Sequence, residues 1–227
     1  QSCASPNIMI NTIVAESLDE ICTYLEGLKK EDFNAGLQKK LNEIVKKHKR
    51  IIFNGDGYDS SWIKEAEKRG LPNLKSTPEA LKPFTLDENI KLFEKYGVFN
   101  RAEMLSRYEV FIEEYERKVH IEAGIAINIA KTMILPAVAR HIANLSAAAN
   151  SPWKNKDIDA EGKRASELLS QIAKASAALS KEFAKAKNEA KTISAMAELR
   201  KAVDEAETVV EDSLWPLPKY RELLFIY

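Results

Sequence analysis

The chain has 227 residues, 45% apolar and 30% charged, enough for one sizeable core or two small ones in a soluble, globular class. Lys plus Arg and Asp plus Glu both number 34, so no net field would concentrate the chain on nucleic acid or an anionic membrane. Cys3 and Cys22 form neither a disulfide framework nor a metal spacing, and no signal peptide is visible, so a reduced, cytoplasmic compartment is expected.

Only 8 Gly and 8 Pro in this length favour long helices over many short strands. Ser5 is a candidate N-cap, with Pro6 tolerated in the first turn of the helix it opens. Ile10, Val14, Leu18, Ile21 and Leu25 recur at steps of three and four, an amphipathic pattern that Gly27 ends or follows after a frayed last turn. Residues 35–49 form a second helix, with Leu37, Leu41, Ile44 and Val45 on one face and lysines elsewhere; Glu43 among them and the lack of aromatic residues favour a solvated face over a phosphate site.

Ile51-Ile-Phe53 before Asn54-Gly-Asp-Gly57 is the strongest strand-and-turn signal. The glycines belong to no nucleotide-binding fingerprint, so a plain turn is the expected role. Ser60 or Ser61 should cap a helix that Gly70 and Pro72 stop, and Ser76-Thr-Pro-Glu79 opens a further short turn. From Asp87 onward Ile90, Phe93 and Tyr96 face inward until Gly97. Asn100 then caps a new helix, with Glu103 placed for a capping box.

Tyr108, Phe111, Ile112, Tyr115 and Val119, followed by Ile121, Ile125, Ile129 and Met133, continue that helix. Residues 123–139 are apolar nearly all round, which predicts a central bundle helix; the run is short for a bilayer and carries Lys131. Pro136 should kink it. After a loop at 150–155, residues 159–211 carry a stripe of Leu168, Ile172, Ala175, Leu179, Phe183, Ala186, Ala190, Ile193, Met196, Val203, Ala206 and Val210. The stripe weakens around 185–191, consistent with one helix or two. Trp215-Pro-Leu-Pro218 should end all helix, leaving 220–227 as a docked apolar tail. The fold class is mainly α: a helical bundle with at most one short strand or hairpin.

No chemistry is legible. His48 lies in a lysine run, and His120 and His141 stand about 31 Å apart along one straight helix, too far to share a metal within a subunit. Glu113, Glu114 and Glu116 lack the Glu-x-x-His partner of a di-metal bundle. The cysteines have no His partner and the serines no nucleophile elbow, while Trp62, Trp153 and Trp215 sit near element ends as anchors. The expectation is therefore no catalytic, cofactor-binding or metal residue.

The wording of several segments is more specific. Ser5-Pro-Asn7 with Asn11-Thr-Ile-Val-Ala-Glu16 resembles the helix start near the end of the glutamine synthetase catalytic domain. Ile52-Phe-Asn-Gly-Asp-Gly-Tyr58, Lys64-Glu-Ala-Glu-Lys-Arg-Gly-Leu-Pro-Asn-Leu74, Phe93-Glu-Lys-Tyr-Gly-Val98, Ser106-Arg-Tyr-Glu109 and Ile134-Leu-Pro-Ala137 resemble the type III branch. So do Leu214-Trp-Pro-Leu-Pro-Lys-Tyr220 and Leu223-Leu-Phe225, with Leu199-Arg200 and Asp204 before them. Residues 152–190 match least.

The resemblance implies a parent enzyme that joins glutamate and ammonia, using ATP and Mg2+ or Mn2+, through a γ-glutamyl phosphate. In that family the metal ligands and phosphate-binding arginines lie upstream of the Ser-Pro-Asn position, so none is carried over to any residue here. The lack of an initiator Met fits a piece of a longer chain. Residues 1–98 would be the C-terminal remnant of the catalytic domain, and 99–227 a helical bundle region with a docked tail. The fragment would be inactive and structural, with the remainder of the same enzyme and other subunits of a homo-oligomer as partners, and neither nucleic acid nor membrane. Apolar surface on residues 1–26 would be left open to dimer contacts. The alternative is a stand-alone helical protein-interaction module.

Overall fold

The computed structural model describes residues 3–151, 156–185 and 188–224. Its elements divide into two compact units, residues 1–113 and 114–227, and the division falls within one long helix. Every described element is helical or a turn. The strand expected at Ile51-Ile-Phe53 is absent: Ile51 closes a short 3-10 turn, and Ile52 and Phe53 run on as irregular chain. These apolar residues find no second strand to pair with among the described residues. Their backbone is held instead by Arg69, whose guanidinium donates to the carbonyls of Ile52 (2.9 Å) and Arg50 (3.4 Å).

In the first unit, α1 (Ala4–Glu26), α2 (Phe33–His48), α3 (Ser60–Lys68), α4 (Thr77–Leu81) and α5 (Asp87–Lys95) are joined by short turns, and α6 (Arg101–Ile129) begins here. The first helix starts at Ala4 with Cys3 at its N-cap, not Ser5, and no side chain caps it. Asp59, not Ser60 or Ser61, caps α3: its carboxylate accepts the Ser61 amide at 2.7 Å. An ionised carboxylate is a stronger acceptor than a hydroxyl at a helix N-terminus, where the dipole also favours it.

Stops and starts follow the local chemistry. Gly70 and Gly97 both adopt positive φ, 68° and 62°. At Gly97 the Val98 amide reaches back to the Phe93 carbonyl and the Gly97 amide to Glu94, the double closure that satisfies the last carbonyls of α5. Three residues on, the Asn100 side chain accepts from the Glu103 amide at 2.9 Å while the Glu103 carboxylate accepts from the Asn100 amide at 2.8 Å. This is the reciprocal capping box. Around the corner so formed lies the core of this unit: Ile90, Phe93, Phe99 and Met104, with Ile8, Met9, Phe84 and Val98 packed against it.

In the second unit, α6 runs through a π-turn (Ala130–Ile134) into α7 (Leu135–Ala149), followed by α8 (Lys156–Lys185) and α9 (Glu189–Glu207). The disturbance expected from Pro136 takes the form of that π-turn, with Pro136 in the first turn of α7. Widening the preceding turn removes the need for the amide that proline lacks. The Ala/Lys/Glu segment is two helices, and Asn188 caps the second by accepting the Lys191 amide at 3.0 Å. Ala123, Ala130, Ile134, Val138, Ala165, Leu168, Ile172, Leu179, Leu199, Ala202 and Ala206 form its core, closed by Val209, Val210 and Trp215.

Two expectations shift. On α9 the buried face is Thr192, Leu199, Ala202 and Ala206, while Ile193 is 41% exposed, so the face is rotated from the apolar stripe toward small residues that let α8 approach. The apolar stretch of α6 is not enclosed all round, for Ile121 and Ile125 are exposed. By length and composition residues 101–149 would suffice to cross a membrane, and 28% of their most apolar window is buried. After Pro218 one more helical turn forms, α10 (Tyr220–Leu223), where the Glu222 carboxylate accepts the Lys219 amide at 3.1 Å. Leu223 and Leu224 are exposed and not docked; the rest of the expected tail, 225–227, lies outside the described residues, as does Trp153.

Candidate interaction surface

The most organised polar constellation joins α1 to α5. Lys95 Nζ lies 2.6 Å from Glu16 Oε2 and 3.0 Å from Asp19 Oδ2. The Tyr96 hydroxyl, with one hydrogen to donate, lies 2.5 Å and 2.9 Å from the same two oxygens. Glu16 and Asp19 are one helical turn apart, so both face α5 together. The hydrogen bonds from Lys95, then those from Tyr96, hold both carboxyls below their usual range. The same partners raise Lys95, and loss of hydration followed by the bond to Glu16 pushes Tyr96 up to about 12.

This clamp makes α1 an inverted helix. Its inward side carries Ile8, Met9 and the buried Thr12, together with the two paired carboxylates. At 100° per residue, Glu16, Asp19, Glu20 and Glu26 all fall in one sector, and the remaining face, about 240° wide, carries no charge. On that face Ile10 is 58% exposed, Ile13 54%, Val14 49% and Leu18 56%. The stripe that reads as core in the sequence therefore points to solvent over its first three positions, and only Ile21 and Leu25 are half-buried. Its second helix behaves alike: α2 buries no residue, and Leu41 and Val45 are exposed beside a basic last turn of Lys46, Lys47 and His48.

A second cluster orders the Asn54–Gly57 turn. Phe53 and Trp62 stack at 4.2 Å, and Arg69 lies 5.6 Å and 5.7 Å from their ring centres while pairing with Glu65 at 2.7 Å. A Cβ on Gly55 would meet the far edge of the Phe53 ring at 2.4 Å, so a larger residue there would have to move that ring. Tyr58 stands fully exposed at the tip.

The residues weighed for chemistry are dispersed. His48 is exposed on α2, and His120 stacks on Phe183 at 4.2 Å. His141 is buried, its Nδ1 accepting the Glu211 amide at 3.3 Å, with Nε2 unpartnered. Glu114 pairs with Lys118 on the surface of α6. Cys3 and Cys22 are exposed free thiols, and Trp215 is a buried anchor. Among the described residues no three His, Cys, Asp or Glu converge as a metal site. Glu16 and Asp19 already hold Lys95 and Tyr96, and Asp56 and Asp59 accept local amides, so this donor set does not fit Mg2+, Mn2+ or a triphosphate.

Comparison with known proteins decides the kinship. The family model described as Glutamine synthetase C-terminal domain matches residues 36–152. The chain belongs to the glutamine synthetase family. The type-3 glutamine synthetase of Dictyostelium discoideum is 35% identical across 97% of this chain and 33% of its own length. The glutamine synthetase of Butyrivibrio fibrisolvens is 33% identical over 83% of this chain and 30% of its own. That of Bacteroides fragilis is 30% identical over 99% and 34%. The chain thus spans about a third of the length of the curated relatives it matches. The type III resemblance carried by the motifs above agrees with the Dictyostelium match, and the mainly α class holds.

Sequence reasoning missed the Glu16–Asp19–Lys95–Tyr96 clamp. The i, i+3 acidic pair on the polar side of α1 was the one available signal; its partners lie 79 and 80 residues away.

Proposed function

We propose that this chain is the C-terminal third of a type III glutamate–ammonia ligase, and that its own task is structural: supporting the catalytic region and contributing to subunit assembly. The carrying observation is the near-complete match of this chain to only a third of the Dictyostelium synthetase. On this reading residues 1–98 close the catalytic domain and 99–227 form the helical region beyond it. ATP and a divalent metal serve the whole enzyme and are held elsewhere in it. The cytoplasm is the compartment, and the partners are the rest of the enzyme and further subunits.

Isothermal titration of this chain with Mg-ATP, and a glutamate turnover assay, are the test. No heat of binding and no turnover are expected. Micromolar Mg-ATP binding by this chain alone would overturn the structural role.

A further inference from the structure

We propose that Asn54–Gly55 is a self-modification site, where the folded chain converts an asparagine to aspartyl and β-aspartyl forms through a cyclic imide, with water as the only co-reactant. Asn54 is the one asparagine in the sequence followed by glycine. The ring closure needs a backbone outside any helix, a side-chain amide free to turn, and a following main-chain amide that no hydrogen bond holds. All three meet here. Asn54 is exposed and lies in irregular chain. Among the described residues no hydrogen bond occupies its side chain or the Gly55 amide. Gly55 brings no Cβ to shield its nitrogen, and glycine has the widest backbone freedom.

The turn is fastened on either side of this link and not at it. Upstream, Arg69 holds the Ile52 carbonyl at 2.9 Å. Downstream, the Asp56 carboxylate accepts the Tyr58 amide at 2.9 Å and the Asp56 carbonyl accepts the Asp59 amide at 3.3 Å. Asn150-Ser151, which also has a small successor, makes the contrast. The Asn150 side chain donates to the Ser146 carbonyl at 2.9 Å, and the Ser151 amide to Ala148 at 3.1 Å. Asn100 and Asn188 are committed as caps.

The steps balance without oxidant or reductant. The Gly55 nitrogen, its proton lost to hydroxide, bonds to Cγ of Asn54. The bond from Cγ to the side-chain nitrogen breaks, and ammonia leaves with a proton taken from water. Water then opens the ring. Cleavage between the Gly55 nitrogen and Cγ gives aspartate; cleavage at the main-chain carbonyl gives the β-linked form, whose main chain is longer by one methylene. Either product carries a new carboxylate, so a chain of formal net charge +0 becomes one unit negative. The change is one-way, so the exposed turn records elapsed time at a given pH.

The experiment incubates this chain at mildly alkaline pH, folded in buffer and unfolded in guanidinium chloride. Peptide mass spectrometry follows the exchange of NH2 for OH at each asparagine. Asn54 in the folded chain should convert less than tenfold more slowly than in the unfolded chain, whereas folding should slow Asn150 at least tenfold. Asn54→Gln should remove the mass gain from its peptide. Gly55→Ala, measured unfolded so that folding plays no part, should slow conversion at least tenfold. Protection of Asn54 by tenfold or more on folding overturns the proposal, and so does an Asn150 that folding leaves unprotected. Equal conversion of Gly55→Ala also overturns it, since the side chain would then hydrolyse directly without ring closure.

Discussion

Lys95 Nζ sits 2.6 Å from the Glu16 carboxylate, and this contact joins the packing of Ile8 and Met9 in keeping the charged side of α1 toward its own fold and its apolar side away. Exposed ion pairs contribute little each, because water and salt screen them. Their value here is orientation: a lysine shared by two carboxylates one turn apart, with a tyrosine on the same oxygens, defines which face of the helix is inward.

The clamp should be visible as pH dependence. Glu16 and Asp19 are held below their usual range, so their stabilisation is present above the ordinary carboxylate values near 4 and fades as pH falls through the lower folded values. Tyr96 is raised to about 12, so its contribution is full below about 10 and declines as pH rises toward about 12. Thermal midpoints of the first unit should therefore be level from pH 5 to 9 and fall on both sides. The double change Glu16→Gln with Asp19→Asn should flatten the acid limb; an unchanged acid limb would show that other groups produce it.

The corner between α5 and α6 should respond to backbone chemistry alone. Gly97 has φ 62° and open space around the Cβ position, so Gly97→Ala meets no clash and reports only the left-handed strain, about 1 kcal/mol. Gly97→Asn should cost less, since asparagine tolerates that region. Asn100→Ala removes one half of the capping box and should cost about 1 kcal/mol. Urea denaturation measures all three, and equal costs for Ala and Asn at 97 would contradict the strain argument.

What could be read in advance divides along physical lines. Gly70, Gly97 and the Asn100–Glu103 box depend on residues within about one turn of each other, so the sequence carries them openly. Burial depends on what a face meets. The stripe Ile10–Val14–Leu18 has the period of a core face yet looks outward, because its partners far along the chain, Lys95 and the Ile90–Phe93 core, meet the opposite side. Ile51-Ile-Phe53 had strand composition but no partner strand among the described residues, and Arg69 claimed the Ile52 and Arg50 carbonyls. On α9 close approach favoured Ala202 and Ala206 over the bulkier Ile193. The polar clamp was illegible for the same reason as the apolar face.

Arg69 should not be replaceable by lysine. Its planar head pairs with Glu65, donates to two carbonyls and lies over both rings, which a point-charge ammonium cannot do at once. Arg69→Lys should cost about 1 kcal/mol and loosen the 52–58 turn. Trp62 fluorescence during urea unfolding would record it, and a variant with wild-type emission and midpoint would mean the cluster is redundant.

The two faces described above predict opposite sensitivities to the same kind of change. Ile172 is fully buried in the second unit, so Ile172→Ala removes packed methylenes and leaves a cavity, at a cost of about 2–5 kcal/mol. Leu18 is apolar to the same degree but 56% exposed, so Leu18→Ala should change the stability of this chain by no more than about 0.5 kcal/mol. In a chimera in which this chain replaces the C-terminal third of the Dictyostelium synthetase the ranking should narrow, because the structural role proposed above covers Leu18 and packs it. Paired denaturation curves for the two variants in both settings supply the measurement. A large cost for Leu18→Ala in the isolated chain would mean that α1 already has its apolar cover there.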